Sequence, residues 1–271
     1  MLRRITSVIV AALVGLTVAA TPASADVSHA SSQYYLALGD SLAFGYQPNG
    51  DYTHGYVQQL YATLHAQQPR LVLENLGCPG ETTTSLVLGG RCPYPGRTSQ
   101  LDAAIAFLRA HPGKVRLITL DIGGNDVNHC VSATGVDLAC FNQALLTIAV
   151  NLSVTVARLR AAAPRAELIG MTYYDTLLAA WLLGPAGQAL ARQSLQLVHE
   201  LNGLISFVLR AARARVADVA AAFSTDDMTL VNGVPLDVLR ICQWTWMCTL
   251  QDIHANTAGY AVIARTFLSV G

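Results

Sequence analysis

What most restricts the fold of this chain is a repeated succession of short apolar runs, Gly-containing polar turns and segments of helical periodicity. The apolar run at 34–38 ends in Gly39-Asp40-Ser41, and the run at 71–76 ends in Gly77-Cys78-Pro79-Gly80. The run at 115–122 ends in Gly123-Gly124-Asn125-Asp126, and two more runs follow at 166–172 and 215–219. Between them, apolar residues at helical spacing predict helices over 56–67, 99–110, from Cys140 to about residue 163, 188–213 and 257–268. Pro69, Pro112 and Pro164 stop three of these. Strands that alternate with helices pair in parallel and are covered on both faces, so the expected class is α/β.

The first 25 residues stand apart from this pattern. Arg3-Arg4 precede an apolar run at 5–20, and Ala23-Ser24-Ala25 offers small residues for cleavage, which is the pattern of a secretory signal peptide. An uncleaved anchor is the alternative, but the run is short for a membrane span. No later stretch reads as long and apolar enough to cross a bilayer. Residues 26–271 hold no internal repeat and no linker, so one domain is expected there.

Removing Arg3 and Arg4 from 17 basic side chains against 17 acidic leaves a net charge near −2. No basic stripe is present, which argues against a nucleic-acid partner. Six cysteines in an exported chain read as disulfides; fifteen connectivities are open, and low loop-closure entropy favours Cys78 with Cys92, Cys130 with Cys140, and Cys242 with Cys248. A zinc site with His129 or His254 is the rival, but no C-x-x-C spacing supports it, so no metal is expected.

In a parallel sheet, ligands bind beyond the carboxyl ends of the strands. Three of the turns there carry Ser41, Gly80 and Asn125, and sheet geometry brings them to one edge. Alone, a Gly-Asp-Ser turn reads first as a plain helix N-cap. Together, the three suit acyl transfer: Ser41 as nucleophile, with Ser41 N–H, Gly80 N–H and the Asn125 amide around a developing oxyanion. Among seven histidines, His254 in a loop before the last helix is the expected base, with His54 next. The apolar segment 177–183 and the Trp-rich loop 244–246 are read either as packing or as the lip of a hydrophobic pocket.

The blocks Gly39-Asp40-Ser41-Leu42, Gly80 within Cys78-Pro79-Gly80-Glu81-Thr82, Gly123-Gly124-Asn125-Asp126 and Asp252-Ile253-His254 resemble the SGNH (GDSL-type) hydrolases. The resemblance spans essentially all of 26–271, and it is closest to secreted actinobacterial esterases and lipases. It implies a three-layer α/β/α sandwich around a five-stranded parallel, flavodoxin-like sheet. It also implies serine ester hydrolysis without a cofactor, with catalytic Ser41 and His254 and oxyanion donors at Ser41, Gly80 and Asn125. The family usually places its acid three residues before the histidine, where this chain has Gln251. Asp252, two before, is the expected third member, and a main-chain carbonyl within 244–249 is the alternative. The expected protein is a secreted monomer acting on lipid or other small hydrophobic esters, with transient contact with lipid surfaces. A binding protein on an inactive hydrolase scaffold, or a carbohydrate deacetylase, is the alternative.

Overall fold

The computed structural model describes residues 32–132 and 135–271. The expected signal peptide lies outside the described residues. Five parallel strands form the central sheet: β1 (Gln33–Gly39), β2 (Leu71–Asn75), β3 (Val115–Asp121), β4 (Glu167–Met171) and β5 (Arg215–Ala217). Their spatial order is β2-β1-β3-β4-β5, the flavodoxin-like order. The interior of the sheet is apolar without alternation, as a sheet covered on both faces requires: Tyr35, Leu36, Ala37 and Leu38 of β1 are all fully buried.

The helices are α1 (Ser41–Phe44), α2 (Tyr56–Gln67), α3 (Thr83–Leu88), α4 (Gln100–Ala110), α5 (Gly124–Asn128) and α6 (Leu138–Ala162). They continue with α7 (Pro185–Ala211), α8 (Val219–Ala222), α9 (Leu236–Trp244), α10 (Met247–Leu250) and α11 (Thr257–Val270). One layer joins α2 and α11, and Tyr56 stacks on Phe267 between them with ring centroids 5.0 Å apart. The other joins α3, α4, α6 and α7. Helix starts follow local chemistry. The Ser99 side chain accepts from Asp102 N–H at α4, and Asp137 accepts from Ala139 and Cys140 N–H at α6.

Helix α6 corrects one expectation. Its length and composition would allow it to cross a membrane, because no charged residue occurs between Leu138 and Arg158. In the fold it buries Phe141, Ile148, Leu152 and Leu159 while packing against α3, α4, α5 and α7, and Leu146 and Val150 face outward.

The order of the sheet reverses at β1: the chain leaves β1 for β2 on one side and returns to β3 on the other. The carboxyl ends of β1 and β3 therefore lie side by side with the crossovers going opposite ways, which opens a crevice between them. Gly39 pairs with Asp121 at this point, so the segments carrying Ser41 and Asn125 leave the sheet together.

Candidate active site

Ser41 is placed by a tight departure from β1. Gly39 has φ +147°, and a Cβ there would collide with the backbone and carboxyl of Asp121, so only glycine fits. Asp40 caps α1, its Oδ1 accepting Leu42 N–H at 2.9 Å, and Tyr173 donates its hydroxyl to Asp40 Oδ2 at 2.8 Å. Ser41 is then the first residue of α1, nearly buried at 7% exposure.

His254 arrives from the far end of the chain on a heavily pinned loop. The Cys242–Cys248 disulfide closes its root, Trp246 N–H donates to His254 O at 3.0 Å, and Thr245 bridges Ala255. Tyr174 donates its hydroxyl to Ile253 O at 3.0 Å, tying the loop to the end of β4. Imidazole Nε2 lies 2.8 Å from Ser41 Oγ, and Nδ1 lies 2.7 Å from Asp252 Oδ1. The Tyr46 ring stands 4.5 Å from the imidazole, centroid to centroid. Serine, histidine and aspartate thus form one hydrogen-bonded line. His54, the other histidine considered, pairs with exposed Asp51 at 2.7 Å and takes no part in it.

Asn125 lies in the first turn of α5, on the wall of the crevice with Ser41. Its Nδ2 donates one hydrogen to Glu81 O at 2.9 Å, which leaves the other for a ligand. That bond ties Asn125 to the turn carrying Gly80, where φ is +77° and the Cys78–Cys92 disulfide fixes the backbone. Among the described residues, neither Ser41 N–H nor Gly80 N–H has an acceptor. All three expected disulfides are present. Because Cys130 and Cys140 are joined to each other, their cluster with His129 offers no thiolate to zinc.

A pocket of about 120 Å³ opens from Ser41 and His254. Its apolar walls come mainly from Val127, Val131, Val136, Phe141, Leu197 and Leu201. Of the segment 177–183, Leu177 lines it, whereas Trp181–Leu183 do not, and neither do Trp244–Trp246. Arg192 lies 4.8 Å over Trp181, Trp244 meets Phe223 edge-on, and Trp246 Nε1 donates to Gln47. The wall residues Val131 and Val136 instead form the small antiparallel ribbon inside the Cys130–Cys140 loop. A closed loop following the Asn125 turn was the sequence signal for that wall.

A sequence model of the GDSL-like lipase/acylhydrolase family matches residues 37–262, from within β1 to within α11. The chain belongs to that family.

Solved structures agree with the GDSL fold. An extracellular lipase from Streptomyces rimosus superposes with TM-score 0.60 at 18% identity, covering 89% of this chain and 100% of that one. A phospholipase A1 from Streptomyces albidoflavus NA297 gives TM-score 0.57 at 19% identity, covering 89% and 100%. The lipase Lip_vut3 from a goat rumen metagenome gives 0.59 at 16% identity, covering 89% and 98%. Comparison with curated proteins gives no match. As a GDSL-family protein the chain is a hydrolase of the lipase and esterase kind.

Proposed function

We propose that this chain is a secreted carboxylic-ester hydrolase that acts on hydrophobic acyl esters through an acyl-enzyme intermediate. The observation that carries the reading is the hydrogen-bonded line from Ser41 Oγ through His254 to Asp252, at the mouth of an apolar pocket. Ser41 Oγ attacks the ester carbonyl while His254 Nε2 takes its proton. Nδ1–H stays directed at Asp252, which fixes the tautomer and favours the imidazolium. Ser41 N–H, Gly80 N–H and the second Asn125 hydrogen supply donors for the oxyanion, each worth about 10²–10³ in rate in comparable sites. His254 then protonates the leaving alkoxide and later activates the water that releases the acid.

The pocket suits an acyl chain, because most of its lining is apolar and stabilises methylenes, with Asn128, Asp175, Thr176 and Ser194 as polar members beyond the reacting groups. Three disulfides favour an oxidising compartment, which with the leader at 1–25 supports export. The test is hydrolysis of p-nitrophenyl esters by residues 26–271, alongside labelling by a serine-directed phosphonate. Activity lost in Ser41→Ala, with the label mapped to Ser41, is the expected result. A folded wild type that neither hydrolyses nor labels would favour a binding role on the same scaffold.

A further inference from the structure

Two carboxyl groups meet beneath the nucleophile turn, and the mechanism above uses neither. Asp40 directly follows β1 and Asp121 ends the adjacent strand β3; they are 3% and 0% exposed. Asp121 Oδ2 accepts two backbone donors, Asp40 N–H at 3.2 Å and Ala43 N–H at 3.2 Å. Its Oδ1 accepts the hydroxyl of Tyr56. Among the described residues no basic side chain bonds to either carboxyl; their partners are backbone N–H groups, the hydroxyls of Tyr56 and Tyr173, and each other.

The backbone donors of this turn can be followed one by one. Asp40 N–H goes to Asp121, Leu42 N–H to Asp40 Oδ1, Ala43 N–H to Asp121, and Phe44 N–H to Asp40 O at 3.1 Å. Ser41 N–H is the one donor between Asp40 and Phe44 that no described residue claims. A single turn of helix does not hold itself in water, because its nucleus fixes many dihedrals for few bonds. Here the missing constraint comes from outside the turn, through Asp121, which Tyr56 anchors from α2.

Resting on the ester-hydrolase reading, we infer that Asp121 is a positioning residue: it clamps the first turn of α1 so that Ser41 N–H alone is reserved for the oxyanion. Asp121 does not touch substrate. Burial and the adjacent Asp40 push the Asp121 carboxyl well above the ordinary carboxylate range. An asparagine side chain keeps a carbonyl oxygen for the Asp40 and Ala43 N–H groups and sets an amide against the Tyr56 hydroxyl. Alanine offers neither.

The experiment compares Asp121→Ala and Asp121→Asn on a soluble p-nitrophenyl ester, with active sites counted by total phosphonate incorporated. Asp121→Ala should lower kcat per competent site about 100-fold with KM within threefold, and weaken a trifluoromethyl-ketone transition-state analogue in proportion. Asp121→Asn should recover activity to within tenfold of wild type. Should Asp121→Ala fail to fold, Tyr56→Phe keeps the ring stacked on Phe267 and removes only the anchoring hydroxyl; a three- to tenfold loss in kcat is expected. Unchanged kcat per site in Asp121→Ala, a loss confined to KM, or an unaffected Tyr56→Phe would overturn the inference. A wild type inert to every ester and to the phosphonate would overturn the hydrolase reading first, and this inference with it.

Discussion

Nδ1 of His254 and Oδ1 of Asp252 are 2.7 Å apart although only one residue separates them in the chain. The same oxygen accepts the backbone N–H of His254 at 2.9 Å, so the carboxylate folds back over the loop and holds ring and main chain together. The turn before it makes this possible. Gln251 takes φ +54° in the left-handed region, which reverses the chain so that the next residue, rather than Gln251 itself, faces the imidazole.

Asp252→Asn should therefore lower kcat by about 10³–10⁴ with little change in KM, because an amide donor facing Nδ1 stabilises the wrong tautomer. Steady-state kinetics on a soluble ester would measure this. A loss under tenfold would transfer the orienting role to a main-chain carbonyl of the same loop.

The pocket predicts a chain-length optimum. At about 120 Å³ it approaches the volume of a protein cavity that takes up benzene, so an acyl group of roughly four to six carbons would fill it. The ratio kcat/KM across p-nitrophenyl acetate to palmitate should peak in that range. Phe141→Ala removes a wall and should move the optimum to longer chains, at a stability cost of about 3–5 kcal/mol. An unmoved optimum would place the acyl chain elsewhere.

Asp175 predicts a pH dependence of stability. It is 5% exposed, its Oδ1 caps the 3-10 helix at Thr176–Leu183 through Leu177 N–H, and its Oδ2 has no partner among the described residues. Burial, partly opposed by the nearby Ser194 hydroxyl and the bond from Leu177 N–H, pushes its carboxyl up to about 6. A raised folded-state value means that the folded protein holds the proton more tightly than the unfolded chain. The contribution is thus complete below about pH 4 and is lost as pH rises through 6, on the order of 3 kcal/mol by neutral pH. Urea midpoints from pH 4 to 8 should fall for wild type relative to Asp175→Asn. Parallel curves would assign the slope to other groups, the neighbouring Asp237 first.

Much of this architecture was legible in the residues because local and tertiary demands agree. Apolar spacing marks α2 at Tyr56–Gln67 with Pro69 behind it, and Val115–Asp121 reads as a strand buried on both faces. Helix α1 was not legible, because four residues carry no periodicity and its supports, Asp121 and Tyr56, come from other elements. The ribbon pairing Leu230–Val231 with Val234–Pro235 went unread although Asn232-Gly233, both at positive φ, is a strong two-residue turn signal. Trp181 and Trp244 show the general difficulty. An aromatic residue in a loop is apolar whether it lines a pocket or lies under an arginine, and only the partner decides.

Ser41 and His254 stand 213 residues apart in the chain yet share one hydrogen bond. On the proposed ester-hydrolase reading, synthesis from the amino end makes Ser41 long before His254. A chain ending before residue 254 therefore lacks the proposed base, and activity arrives as a single late event.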